Sequence, residues 1–181
     1  DMSLKADDIT FDYIPLDGSD FDYKKIEKAL KEKKYSMVYL QRSRGYDERE
    51  AISVDKMQPL TEFVRSCGFD GCIFCDNCYG EFVEKKEPTD VGVDLVAGSL
   101  IKNIGGGITP TGGYIAGKQK YIDRAEARLT SPSIAGEVGS YAFGYQYFYE
   151  GLFLAPHVVN QALKGSMLIG AVMGELGYHT V

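Results

Sequence analysis

Asp76 ends the short apolar run CIFC at 72–75, and Lys102 ends the run DLVAGSLI at 94–101. Each run suits a buried strand, and in an open α/β sheet ligands bind outside the carboxyl ends of the strands. A carboxylate and an amine would then meet in one crevice. Leu100 and Ile101 precede the lysine, and an apolar setting is expected to depress its pKa and favour an amine nucleophile. A carboxylate facing a pyridinium nitrogen, with a lysine bonded to an aldehyde, is what pyridoxal 5'-phosphate requires of a protein. An unrelated surface Asp and Lys would show the same spacing, so spacing alone leaves both readings open.

Two further patterns carry weaker chemistry. Cys67, Cys72, Cys75 and Cys78 read C-x4-C-x2-C-x2-C, which suggests zinc or an iron–sulfur cluster. Ile73 and Phe74 are strand formers, however, and a strand sends Cys72 and Cys75 to opposite faces. Buried thiols packed as small hydrophobes are the stronger expectation, so no metal is assigned. The glycine-rich stretch NIGGGITPTGGYIAG at 103–117 lacks the G-K-[ST] of a P-loop and does not open a helix with G-x-G-x-x-G. Neither ATPase nor dinucleotide chemistry follows from it. Amides at 105–107 could still approach an anion closely. His157 beside Pro156 reads as structural, and Tyr79 fits either stacking and acid–base work or plain packing.

These residues need elements to position them. Residues 9–16 alternate Ile9, Phe11 and Tyr13 with polar partners, which predicts a strand. Residues 22–34 place Ile26, Ala29 and Leu30 on one stripe, an amphipathic helix. Strands are expected at 35–40, 72–75, 94–97 and 114–116, and helices at 55–66 (Met57, Leu60, Phe63 and Val64 inward) and 118–129. A polar, Arg-rich loop follows at 41–50. From 135 to 177 the pattern is helical, with a break at Pro156, where a proline in the first turn would start a new helix. Tyr141, Tyr145, Phe148 and Leu152 share a stripe there, widened by Tyr147 and Tyr149, which fits a core or a subunit interface. The alternation of strands and helices predicts an α/β fold with a mainly parallel sheet covered by helices.

Composition sets the outer bounds. The 181 residues are 44% hydrophobic and 25% charged with a net charge of −6, which suits a folded, soluble domain. An acidic balance without a basic cluster argues against nucleic acid or an anionic membrane as partner. No apolar run is long enough to span a bilayer, and no signal-peptide pattern is present, so cytoplasmic location is expected. A start at Asp1 and a stop just after an apparent helix suggest a fragment of a longer chain.

The run DNCYGEFVEKKEPTDVGVDLVAGSLIKNIGGGITPTGGYIAG resembles the cofactor-lysine region of fold-type I pyridoxal-phosphate enzymes. Within these it is most similar to the cystathionine and methionine lyases, and especially to the methionine gamma-lyase branch often labelled aluminium-resistance proteins. The likeness extends over QRSRGY at 41–46, PSIAGEVGS at 132–140 and EGLFLAPHVVNQALKG at 150–165. It implies a fold-type I large domain at 1–135, followed at 136–181 by a helical connection towards a truncated small domain. It implies Lys102 as the Schiff-base lysine, Asp76 on the pyridine nitrogen and Ser99 on the phosphate. Ser43 and Tyr79 would contact the cofactor, and Arg44 the substrate carboxylate. The chain departs from the broader relatives at Cys78 and Ile101, where they carry Thr, so phosphate contacts are expected to be redistributed. The implied reaction is carbon–sulfur elimination from a sulfur amino acid such as methionine or cystathionine, started by proton abstraction at the alpha carbon. Transamination or aldol cleavage with the same cofactor, and a Cys-rich metal or iron–sulfur module, are the alternatives. A homodimer or homotetramer is implied as well.

Overall fold

The computed structural model describes residues 4–129 and 134–180. Its centre is a four-stranded sheet in the order β1 (Met37–Gln41), β2 (Cys72–Asp76), β3 (Leu95–Ser99) and β4 (Gly113–Gly117). β1, β2 and β3 run parallel, and β4 returns antiparallel to β3. The architecture is therefore mixed α/β with a mostly parallel sheet. Gln41 pairs with Asp76, and Asp76 with Ala97, so the carboxyl ends of three strands open on one edge.

Alternation assigns the two faces. Val38, Leu40, Ile73, Cys75 and Val96 point to one side and join the core beneath helix α2 (Val54–Ser66). α2 forms where Ser53 caps its first turn, the hydroxyl accepting from the Lys56 amide at 3.3 Å. Met57, Leu60 and Val64, spaced for one face, are all buried, each contributing about 2 kcal/mol of apolar transfer. Phe63 is only half-buried, edge-on to Tyr23 at 5.0 Å. Helix α1 (Tyr23–Glu32) is capped by Asp22 and lies more loosely on the same layer, with Ile26 and Leu30 against the core.

Several expected elements differ. Residues 9–16 form no strand: Phe11 and Tyr13 are exposed, and no neighbouring strand offers them a ladder. The chain there is instead tied by Asp12, whose carboxylate accepts from Lys33 Nζ at 2.7 Å and Tyr35 Oη at 2.6 Å. β2 and β3 are joined by a loop containing a short 3-10 turn, Pro88–Val91. Helix α3 (Gln119–Leu129) follows β4 as expected. Pro156 starts no helix. It sits inside the 30-residue helix α4 (Gln146–Glu175), which stays continuous because Gly151, Ala155 and Val159, at helical spacing around it, are buried against the rest of the molecule.

Tyr141, Tyr145 and Phe148 pack on one another, with ring centroids 5.0 to 6.4 Å apart. Tyr147 and Tyr149 face outward. Pro132 and Ser133 of the PSIAGEVGS motif lie outside the described residues.

Candidate functional site

The carboxyl edge of the sheet gathers most of the residues singled out by sequence. Asp76 and Ser99 lie on the same face of neighbouring strands, because Asp76 pairs with Ala97 and Ser99 is two residues further along β3. That face is the one left uncovered by α2. Lys102 follows β3 by one turn: its amide donates to Ser99 O at 3.2 Å, and its carbonyl accepts from Gly105 N at 3.0 Å. Lys102 Nζ stands 4.5 Å above the centre of the Tyr79 ring. Tyr79 is held in the left-handed region, φ +67°, an unusual conformation for a bulky side chain.

Cys78 joins these groups. Its amide donates to Asp76 Oδ1 at 3.0 Å. Burial pushes the Cys78 thiol up, aided by the Asp76 carboxylate it hydrogen-bonds, while the Ser99 amide and the Lys102 ammonium pull it down. Lys102 does not behave as the apolar setting suggested. Desolvation works against its charge, but the Cys78 sulfur, Tyr79 and Asp76 outweigh this and hold the amine above the ordinary lysine range. Ile101, expected to desolvate the lysine, is itself exposed. Unloaded, this amine is a cation at neutral pH.

An open cleft of about 430 Å³ adjoins this group, lined by Ser43, Arg44, Ile52, Tyr79 and Val83 among others. Arg44 is exposed and has no carboxylate within 4.0 Å among the described residues. The Ser43 carbonyl is taken by Arg49 at 2.5 Å. Cys78 and Tyr79 border both the cleft and the Lys102 group, so all six predicted site residues lie around one edge.

The cysteines do not form a cluster. Cys72 and Cys75 are buried on opposite faces of β2, and no three His, Cys, Asp or Glu side chains converge among the described residues. The glycine run has a packing task as well. Gly105 and Gly106 are buried against Gly151 of α4, which leaves those two residues no open cradle for an anion.

One part of the site was not anticipated. Arg42 is buried and bonds Asn77 Oδ1 at 2.7 Å, Glu84 at 2.5 Å and Glu87 at 3.4 Å. Beside it, Tyr114 Oη donates to Glu81 Oε1 at 2.7 Å, and burial pushes the Glu81 carboxyl up despite that bond. Asn103 reaches across from the lysine turn to Glu81 O at 3.1 Å. The network braces the loops carrying Tyr79 and Lys102. A signal for it existed: Arg42 continues the phase of Val38 and Leu40, so it points into the packed layer, where a charge must be paired.

The whole of residues 1–181 matches the family described as methionine gamma-lyase. The chain belongs to that family. An uncharacterised 33.9 kDa protein of Lactobacillus delbrueckii subsp. bulgaricus, from the region 5' of glnA, is 48% identical over 93% of this chain and 56% of its own length. A carbon–sulfur lyase involved in aluminium resistance from Clostridium novyi NT is 45% identical with a TM-score of 0.91, over 98% of this chain and 42% of that one. A proposed cystathionine beta-lyase involved in aluminium resistance from Clostridium acetobutylicum gives 42% and 0.93, again over 98% and 42%. The chain thus spans about half the length of these relatives. At 18% identity and a TM-score of 0.61, the pyridoxal-5'-phosphate-dependent protein YhfS of Escherichia coli shares the fold.

Proposed function

We propose that this chain forms part of a pyridoxal-phosphate-dependent carbon–sulfur lyase acting on a sulfur amino acid in the cytoplasm. The observation that carries the reading is the placing of Asp76, Ser99 and Lys102 on one open edge, with Tyr79 beneath the lysine amine. An amine, a carboxylate and a hydroxyl are the donor set such a cofactor needs at its aldehyde, ring nitrogen and phosphate, so the residues present fit it. When bound, the cofactor supplies an electron sink for a carbanion at the substrate's alpha carbon.

The chain's own residues do the rest. Lys102 would hold the cofactor at its aldehyde, and its amine would take the proton from the substrate's alpha carbon. Asp76 keeps a proton on the ring nitrogen. Ser99 would give one phosphate contact, Ser43 and Tyr79 would lie beside the ring, and Arg44 would receive the substrate carboxylate. The apolar wall of Val83 and Ile52 suits a thioether side chain. A homodimer or homotetramer is supported by apolar side chains left exposed on α4, including Phe153, Met167 and Ile169. Among the described residues no helix is long and apolar enough to cross a membrane.

The test is borohydride reduction of the full chain loaded with cofactor, followed by peptide mapping, beside assays of keto-acid release from methionine and cystathionine. The expected result is cofactor mass on the Lys102 peptide with thiol and keto acid released together. Trapping on another peptide overturns the assignment. Amino-group exchange or aldehyde release without thiol moves the reaction to transamination or aldol cleavage.

A further inference from the structure

We propose that Gly151, on helix α4, is a positioning residue for Lys102. The inference rests on the reading of Lys102 as the reactive lysine. Lys102 leads into the 3-10 turn Asn103–Gly105, and that turn lies directly on α4. A Cβ added at Gly151 would collide with the Gly105 carbonyl oxygen and lie 2.5 Å from Thr109 Oγ1. One added at Gly106, which also needs φ +57°, would collide with the Gly151 carbonyl oxygen. The contact is backbone on backbone, so no side chain can rotate out of the way. Thr109 Oγ1 locks it, donating to Gly105 O at 3.1 Å and standing 3.4 Å from Tyr147 O.

Something must move if this seat is filled. Retreat of α4 would uncover Ala155 and Val159, which are buried on the same face. The turn is thinner. Among the described residues its side-chain anchor to the loop after β2 is Asn103 Nδ2 on Glu81 O. The turn therefore takes part of the displacement, and the Lys102 amine shifts from its place over the Tyr79 ring.

Gly165 is the matched control. It lies in the same helix, and a Cβ there meets nothing within 4 Å. Glycine to alanine favours the helix at both positions, so a loss seen only at Gly151 comes from the seat.

The experiment compares Gly151→Ala and Gly165→Ala in the full chain. The first readout needs no cofactor: the rate of reductive methylation of Lys102 by formaldehyde and cyanoborohydride, followed by mass spectrometry of its peptide. Freed from the groups that keep it charged, Lys102 in Gly151→Ala should react about threefold faster. Gly165→Ala should match the wild type. In the loaded enzyme, Gly151→Ala should lower kcat by about tenfold or more with KM little changed, as expected for a misplaced reacting group. Thr109→Val keeps the side-chain volume and removes the lock; it should shift both readouts in the same direction by less, and it decides the matter if Gly151→Ala does not fold. Lys102 methylation equal in all variants overturns the proposal. A methylation shift with unchanged turnover leaves the seat standing and overturns the catalytic role of Lys102 instead.

Discussion

The two ends of the sheet are each organised around an aspartate, and the two carboxylates have opposite surroundings. Asp94, at the amino end of β3, is buried and paired with two cations. It accepts from the Ile73 amide at 2.7 Å, pairs with Arg65 from the end of α2, and meets Lys118 Nζ at 2.7 Å as an ion contact. Burial works to raise its pKa, but the Ile73 amide, Lys118 and Arg65 outweigh it and hold the carboxyl below its ordinary range. Asp76, at the carboxyl end of β2, is half-buried, accepts from one amide, and has no cation within 4.0 Å among the described residues. A buried carboxylate already paired with two cations is neutralised in place, whereas one with no cation beside it at a strand's carboxyl end is open to a ligand. Stability is concentrated at one end and the candidate site lies at the other.

Substitutions at the two ends should therefore separate activity from stability. Lys102→Ala should lower elimination about 10³-fold, the usual range for losing a positioned acid–base group, with no change in the urea midpoint. A fall in both would erase the contrast. Asp94→Ala should do the reverse. It strands Arg65, Lys118 and the Ile73 amide, at a cost of about 3 kcal/mol in urea unfolding, while turnover per folded molecule stays at the wild-type level.

Smaller effects sharpen the picture. Arg44→Ala should raise KM for the amino acid about tenfold with kcat held, since an exposed carboxylate contact stabilises ground and transition states alike. A loss confined to kcat would place Arg44 at the reacting atoms. Cys75 adjoins Asp76 in sequence yet belongs to the packed face, and burial pushes its thiol up to about 12. The folded state therefore keeps a proton that the unfolded state releases near its ordinary value of 9.0. Stability should be complete below that pH and decline as pH rises towards 12, by about 1 kcal/mol near pH ~9.5. Cys75→Ala should abolish that component when urea midpoints are compared between pH 7 and 9.5.

Local pattern, which placed strands at 35–40, 72–75 and 94–97, was enough to find those observed at 37–41, 72–76 and 95–99 and helix α2, because period-2 and period-3.6 burial are written directly into residue order. It was enough, too, to bring Asp76 and Lys102 to one edge, since parallel strands must open their carboxyl ends together. Pattern misled where the deciding partner is remote. Residues 9–16 alternate correctly but have no strand to pair with, and Pro156 should start a helix but is held within one by the burial of Gly151, Ala155 and Val159. The charge on Lys102 was misjudged because its sequence neighbours Leu100 and Ile101 are not its spatial ones; Cys78, Tyr79 and Asp76 are. The buried Arg42 network and the glycine seat under the lysine turn likewise depend on contacts between distant segments. Residue order determined which groups reach the edge of the sheet. Tertiary packing alone decided their protonation, their partners and the backbone clearance that holds Lys102, because those depend on what lies within a few ångströms in space.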